Sequence, residues 1–147
     1  DTKSEDVVPL AIDAVLKYNE LGRQEGRRFV VGVGIPTEEV FEAFVEERNR
    51  RLQRDPNLKI PCLVELDPDQ VRQAGCGAWA PRFTLGPQTS QVEEFAEEGV
   101  RTFYWTVNRQ EDIDIMLTKA PGASGILSDR PHLVVQRLQK ALLEGSR

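Results

Sequence analysis

The sequence predicts an α/β fold built on parallel strands, and three observations predict it. Short apolar runs alternate with segments of helical period from one end to the other. The glycines, prolines and short polar residues fall where helices start and stop, with no two-residue hairpin signal between strands. No linker, low-complexity tract or solenoid-length repeat breaks the alternation. Strands joined only through helices run parallel, with right-handed crossovers. Two architectures satisfy the pattern: a five-stranded doubly wound sheet, or part of an eight-unit barrel, which usually takes about 250 residues. Periodicity alone does not choose between them.

Each element has its own local reason. "VVPLAIDAVLKYNELG" (7–22) sets Val8, Ile12, Val15 and Leu16 on one helical face, with Gly22 as a stop signal. "RFVVGVGIP" (28–36) reads as a strand closed by glycines and Pro36. "TEEVFEAFVEERNRRL" (37–52) is an amphipathic helix with Thr37 as its N-cap and glutamates in its first turn. Strand "IPCLVEL" (60–66) leads to Asp67, the cap of a short helix that ends at Gly75. Strand "GAWAPRF" (77–83) precedes helix "TSQVEEFAEEG" (89–99), and strand "VRTFYWTV" (100–107) precedes helix "QEDIDIMLTKA" (110–120). Strand "SGILSD" (124–129) and helix "PHLVVQRLQKALLEG" (131–145) close the chain, with Pro131 near the first helical position. The whole is one helix followed by five strand–helix units.

The bulk properties narrow the function classes. With 29 % charged residues and a net charge of −5, the chain lacks the basic footprint of a nucleic-acid binder. No apolar run approaches the roughly 18 residues of a membrane span. Two cysteines, Cys62 and Cys76, are too few for a disulfide framework and lack the close pair spacing of a zinc site. Both are expected to be buried thiols, with a single disulfide as the alternative.

In either architecture function collects at the carboxyl ends of the strands. The polar residues there are Glu65, Asp67, Arg82, Thr106, Asn108, Ser128, Asp129 and Arg130. Asp67 reads as a helix cap before it reads as a ligand, and for Asp129 the two readings are equal. Arg82 suits a phosphate through its guanidinium fork, although a plain surface arginine is the commoner outcome. Trp105 shares a strand face with Phe103 and Val107, while Tyr104 and Thr106 face the other way. It is expected either to pack in the core or to form an apolar or cation-binding wall at the strand end. The only histidine, His132, falls on the surface of the last helix. No nucleophile–base pair, phosphate-loop glycine pattern or metal-ligand motif is complete in the sequence.

Two segments carry a resemblance. "GVRTFYWTVN" and, further on, "GASGILSDRP" resemble the closing signature of the glycerophosphodiester phosphodiesterase family. That signature reads W-T-V-N, a helix, then G-[I/V]-x-[T/S]-D-x-P and a final helix. "DTKSED" ahead of a long helix resembles the end of the family's fourth strand, where an acidic-x-Lys pattern occurs. The resemblance implies the C-terminal half of a (βα)8 barrel, residues 1–147 running from the end of strand four to helix eight. It implies a divalent metal, Mg2+ or Ca2+, with Asp1 as a ligand, Lys3 as an active-site residue facing phosphate, and Trp105 and Asn108 on the substrate side. The implied partners are the N-terminal half of the barrel and a phosphodiester or phospholipid substrate. The family's His-Arg-Gly, Glu-x-Asp and second histidine motifs belong to its first three strands and are not found here.

The chain departs from the family in having Asp1 where glutamate is usual and "VGIP" where Ser-Phe often follows the fifth strand. "FVVGVGIP", "FYWTV" and Asp-x-Lys are also similar to the sphingomyelinase D-type phospholipases, which act on choline-headgroup lipids. Two further alternatives are a non-catalytic half-barrel binding module and an unrelated flavodoxin-like domain, for which "GVGIPTEE" makes a poor phosphate loop.

Overall fold

In the computed structural model, residues 2–27 and 30–145 are described. They form two compact units, Asp1–Trp79 and Ala80–Arg147. Every expected helix and strand is present, and the strands are shorter than their apolar runs.

In the first unit a 3-10 turn, Glu5–Val7, leads into helix α1 (Val8–Gln24), which buries Val8, Ile12 and Val15. Strand β1 (Val33–Ile35) follows, then α2 (Glu38–Leu52), β2 (Cys62–Val64), α3 (Pro68–Ala74) and β3 (Ala78–Trp79). β1 pairs in parallel with β2, Val33 opposite Cys62 and Ile35 opposite Val64, and β2 pairs in parallel with β3. The run expected as a strand over 28–36 narrows to three residues for a visible reason. Asn19 takes both backbone groups of Val31: its Nδ2 donates to Val31 O at 2.7 Å, and its Oδ1 accepts from Val31 N at 2.8 Å. With those groups engaged by a side chain, Val31 does not enter the strand ladder. Residues 28 and 29 of that run lie outside the described residues.

The caps stand where expected. Thr37 Oγ1 accepts from Val40 N at 3.4 Å at the head of α2. Asp67 is the N-cap of α3, with Gln70 Oε1 returning to the Asp67 N–H at 3.1 Å. Gly75 ends α3 at φ 62°, the left-handed conformation that favours glycine, and a Cβ there would meet only the movable end of the Arg48 side chain. Between α1 and α2, Arg51 donates to Glu47 and to Asp13, each at 2.6 Å. Burial pushes the Glu47 carboxyl up, and hydrogen bonds from Arg51 and Arg50 outweigh it, so its pKa falls below the usual value.

The cysteines correct the expectation of free thiols. Cys62 and Cys76 form a disulfide, with Cα atoms 4.9 Å apart. Spacing in sequence does not reveal it, because the approach depends on α3 folding back to bring Cys76 beside the first residue of β2.

The second unit contains a 3-10 turn (Phe83–Leu85), α4 (Thr89–Glu97), β4 (Arg101–Tyr104), α5 (Gln110–Lys119), β5 (Gly125–Ile126) and α6 (Pro131–Gly145). β4 and β5 pair in parallel, Phe103 opposite Gly125 and Tyr104 opposite Ile126. Val92, Phe95, Tyr104, Val107, Ile113 and Met116 are buried. Arg137 of α6 donates to Asp114 of α5. The expected alternation along 103–107 changes phase: Thr102 and Tyr104 are buried, and so is Val107. The strand ends at Tyr104, and a two-residue period has no force beyond it.

Two outcomes follow. Reducing the disulfide, which closes a separation of 14 residues, is expected to lower unfolding free energy by about 2–4 kcal/mol, read from urea midpoints with and without reductant. Tyr104 donates its hydroxyl to Pro87 O, and burial pushes its pKa up to about 12. A raised phenol pKa leaves stability untouched below the unfolded value near 10 and erodes it from there towards 12, by about 1.4 kcal/mol per pH unit. Tyr104→Phe is expected to flatten that alkaline loss relative to the native chain in urea titrations across the same window.

Candidate functional site

The polar residues that follow β4 and β5 form one hydrogen-bonded cluster. Asn108, in the loop after β4, donates from Nδ2 to Asp129 Oδ2 at 2.7 Å. Its Oδ1 accepts from Asp129 N at 2.9 Å and from Ser128 Oγ at 3.1 Å. Ser128 Oγ in turn accepts from Arg130 N at 3.0 Å. Both ends of one amide therefore tie the loop after β4 to the loop after β5, and Leu127 N–H adds a backbone bond to Tyr104 O at 2.8 Å. Asp129 does not cap α6. Arg130 holds that position, its carbonyl accepting from Leu133 N and Val134 N, while the Asp129 carboxylate faces Asn108.

Trp105 is half-buried just beyond β4, and the Trp105–Thr106 peptide is cis. Its indole is held at the edge and covered on the face. Nε1–H donates to Ala80 O at 2.6 Å, and the Arg82 guanidinium carbon lies 5.1 Å from the ring centroid. The same two residues are partners in an isolated parallel bridge: Phe83 N–H donates to Trp105 O at 3.2 Å and Trp105 N–H to Pro81 O at 3.4 Å. Trp105 is half-buried, so it is not the fully packed core residue that one of the two sequence readings expected. Trp79 is the core tryptophan, 2 % exposed, with its own N–H donated to Leu66 O at 2.9 Å.

The other expected residues lie on other segments of the chain. Lys3 is exposed in the segment ahead of α1, next to Thr2, whose N–H donates to Gly34 O of β1 at 3.3 Å. Asp1 lies outside the described residues. Glu65 follows β2 and is half-buried, Asp67 is spent as a cap, and Thr106 and His132 are exposed. No group of three or more His, Cys, Asp or Glu side chains among the described residues forms a metal site. An apolar cavity of about 300 Å3 under α5 and α6, lined by Met116, Ala120, Ile126 and Leu138, has no charged lining side chain and offers nothing to a phosphate. Sequence reasoning missed two features. One is the Arg82–Trp105 stack, which rests on two segments distant in sequence; the other is the double use of Asn108. An asparagine directly after a strand was the available signal for the second.

No protein-family profile and no curated protein sequence matches the chain. Solved structures do. A protein assigned as a glycerophosphoryl diester phosphodiesterase from Silicibacter pomeroyi DSS-3 superposes with a TM-score of 0.59 at 26% identity, over 88% of this chain and 43% of its own. A glycerophosphodiester phosphodiesterase from Parabacteroides distasonis ATCC 8503 superposes with a TM-score of 0.61 at 15% identity, over 100% of this chain and 56% of its own. The fold is that of a partial (βα)8 barrel. The chain spans about half the length of these two structures.

Removal of the Asn108 side chain is expected to cost about 0.5–1.5 kcal/mol of stability, because Asp129 and Ser128 lose their shared partner at a site that water reaches. The Asn108→Ala urea midpoint, with an unchanged m-value, is the check.

Proposed function

We propose that the longer protein to which this chain corresponds hydrolyses a phosphodiester, and that these residues supply the C-terminal strands of its barrel. One observation carries the reading: the chain superposes on a glycerophosphoryl diester phosphodiesterase at 26% identity over 88% of its length. Two others support it. Apolar side chains stand exposed on the first and last helices, Leu10 and Tyr18 on α1 and Val135, Leu138 and Leu143 on α6, and an N-terminal half-barrel would cover such faces. The Thr2 N–H bond to β1 suits the end of a preceding strand.

The chemistry divides accordingly. A phosphodiester needs a cation against its anionic oxygens and a proton donor for the departing alkoxide. The described residues do not by themselves assemble a metal site. In the family that the chain resembles, the two histidines and the other carboxylates belong to the first three strands. Asp1 would join those carboxylates around Mg2+ or Ca2+. The part assigned to this chain is electrostatic and positional. Lys3 offers its ammonium to the phosphate oxygens, Trp105 forms a wall beside the headgroup, and Asn108 keeps the two strand-end loops in register for it.

The test is hydrolysis of a glycerophosphodiester by the full-length protein, with and without chelator. Turnover that disappears with chelator and returns with Mg2+ or Ca2+ is expected, and chelator-insensitive turnover would overturn the metal requirement. Lys3→Ala is expected to lower kcat roughly 100-fold or more, the usual loss when one preorganised charge-stabilising group is removed.

A further inference from the structure

We propose that Arg82, through its stack on Trp105, sets headgroup specificity, selecting a headgroup without fixed positive charge and rejecting quaternary ammonium groups. The inference rests on the phosphodiesterase reading and adds the class of alcohol at that site.

A tryptophan at the mouth of a phosphodiesterase pocket would ordinarily suit a choline-like cation, since a quaternary ammonium is attracted to the ring face. Here that face already has a cation. The Arg82 guanidinium carbon is 5.1 Å from the indole centroid, inside the range in which the ring quadrupole attracts a charge. The indole is held in place, and the strand register fixes where Arg82 leaves the backbone. The indole edge is tied by Nε1–H to Ala80 O, and the backbones on either side of Arg82 bond to Trp105. The register sets the Arg82 backbone beside Trp105, and the guanidinium reaches the ring face from there.

The charge on Arg82 is also not neutralised. The residue is exposed, and among the described residues no carboxylate pairs with it. A quaternary ammonium approaching Trp105 would have to displace the guanidinium from the ring and then sit beside its positive charge. Both effects act in the same direction, one by competition and one by repulsion. A polyol or anionic headgroup meets the opposite situation. Its oxygens can accept from the guanidinium N–H groups, while the apolar ring supports its carbon skeleton. Glycerol- and inositol-type headgroups share this chemistry.

The experiment compares the full-length protein with Arg82→Gln and Arg82→Lys variants, using glycerophosphoglycerol and glycerophosphocholine as paired substrates. The native protein is expected to favour glycerophosphoglycerol in kcat/KM. Arg82→Gln is expected to shift the ratio towards the choline substrate by roughly tenfold, and Arg82→Lys, which keeps the charge, by much less. An unmoved ratio in Arg82→Gln overturns the proposal. A second readout does not need turnover: the Trp105 indole N–H resonance, identified by its loss in Trp105→Phe, is followed during titration with tetramethylammonium chloride. Saturable shifts in Arg82→Gln but not in the native protein support the role. Equal shifts in both, or in neither, overturn it. Should the native protein hydrolyse neither substrate, the phosphodiesterase reading fails, and the titration alone decides whether Arg82 guards the ring.

Discussion

The parallel direction of the strands is the constraint from which the remaining features follow. A parallel pair cannot be closed by a tight turn, so every strand hands the chain to a helix that crosses back over the sheet. Ile35 and Val64 are fully buried along β1 and β2, as Tyr104 is along β4. The polar side chains of the candidate site stand where a strand stops. Glu65 and Asp67 follow β2, Asn108 follows β4, and Ser128 and Asp129 follow β5. The location of the candidate site is a consequence of strand direction before it is a matter of any particular side chain.

Strands this short carry few ladder bonds, and side chains take over the work of holding them. Asn19 stands in for a strand neighbour at Val31, and Asn108 does so between the loops after β4 and β5. Thr89 Oγ1 donates to Lys119 O at 2.8 Å and ties the start of α4 to the end of α5. The disulfide does the same covalently between β2 and the end of α3. An amide is well suited to this task because it presents a donor and an acceptor together, as a peptide group does. The same property makes Asn108 ambiguous as a substrate ligand, since the cluster engages both ends of its side chain. Its proposed contribution to catalysis is accordingly one of position.

Trp105 shows how a half-buried aromatic at a strand end can be held on two sides. Its edge is held by a carbonyl and its face by a guanidinium. Aromatic walls attract cations only while the ring face is available. The neighbour on the face matters to recognition as much as the ring does.

The sequence by itself determined the class of fold, the order of helices and strands, the helix caps at Thr37 and Asp67 and the stop at Gly75. These depend on period and on local hydrogen bonding, which a linear string contains. It also marked the strand-end positions from which a site would be drawn, and the "WTVN" and "SDRP" segments that resemble a phosphodiesterase. Only the tertiary structure decided that Cys62 and Cys76 are bonded, that Asp129 faces Asn108 instead of capping α6, and that Arg82 covers Trp105. Each of those depends on two segments meeting after a helix has returned the chain to the sheet. The meeting is fixed by register and packing, which residue spacing does not encode.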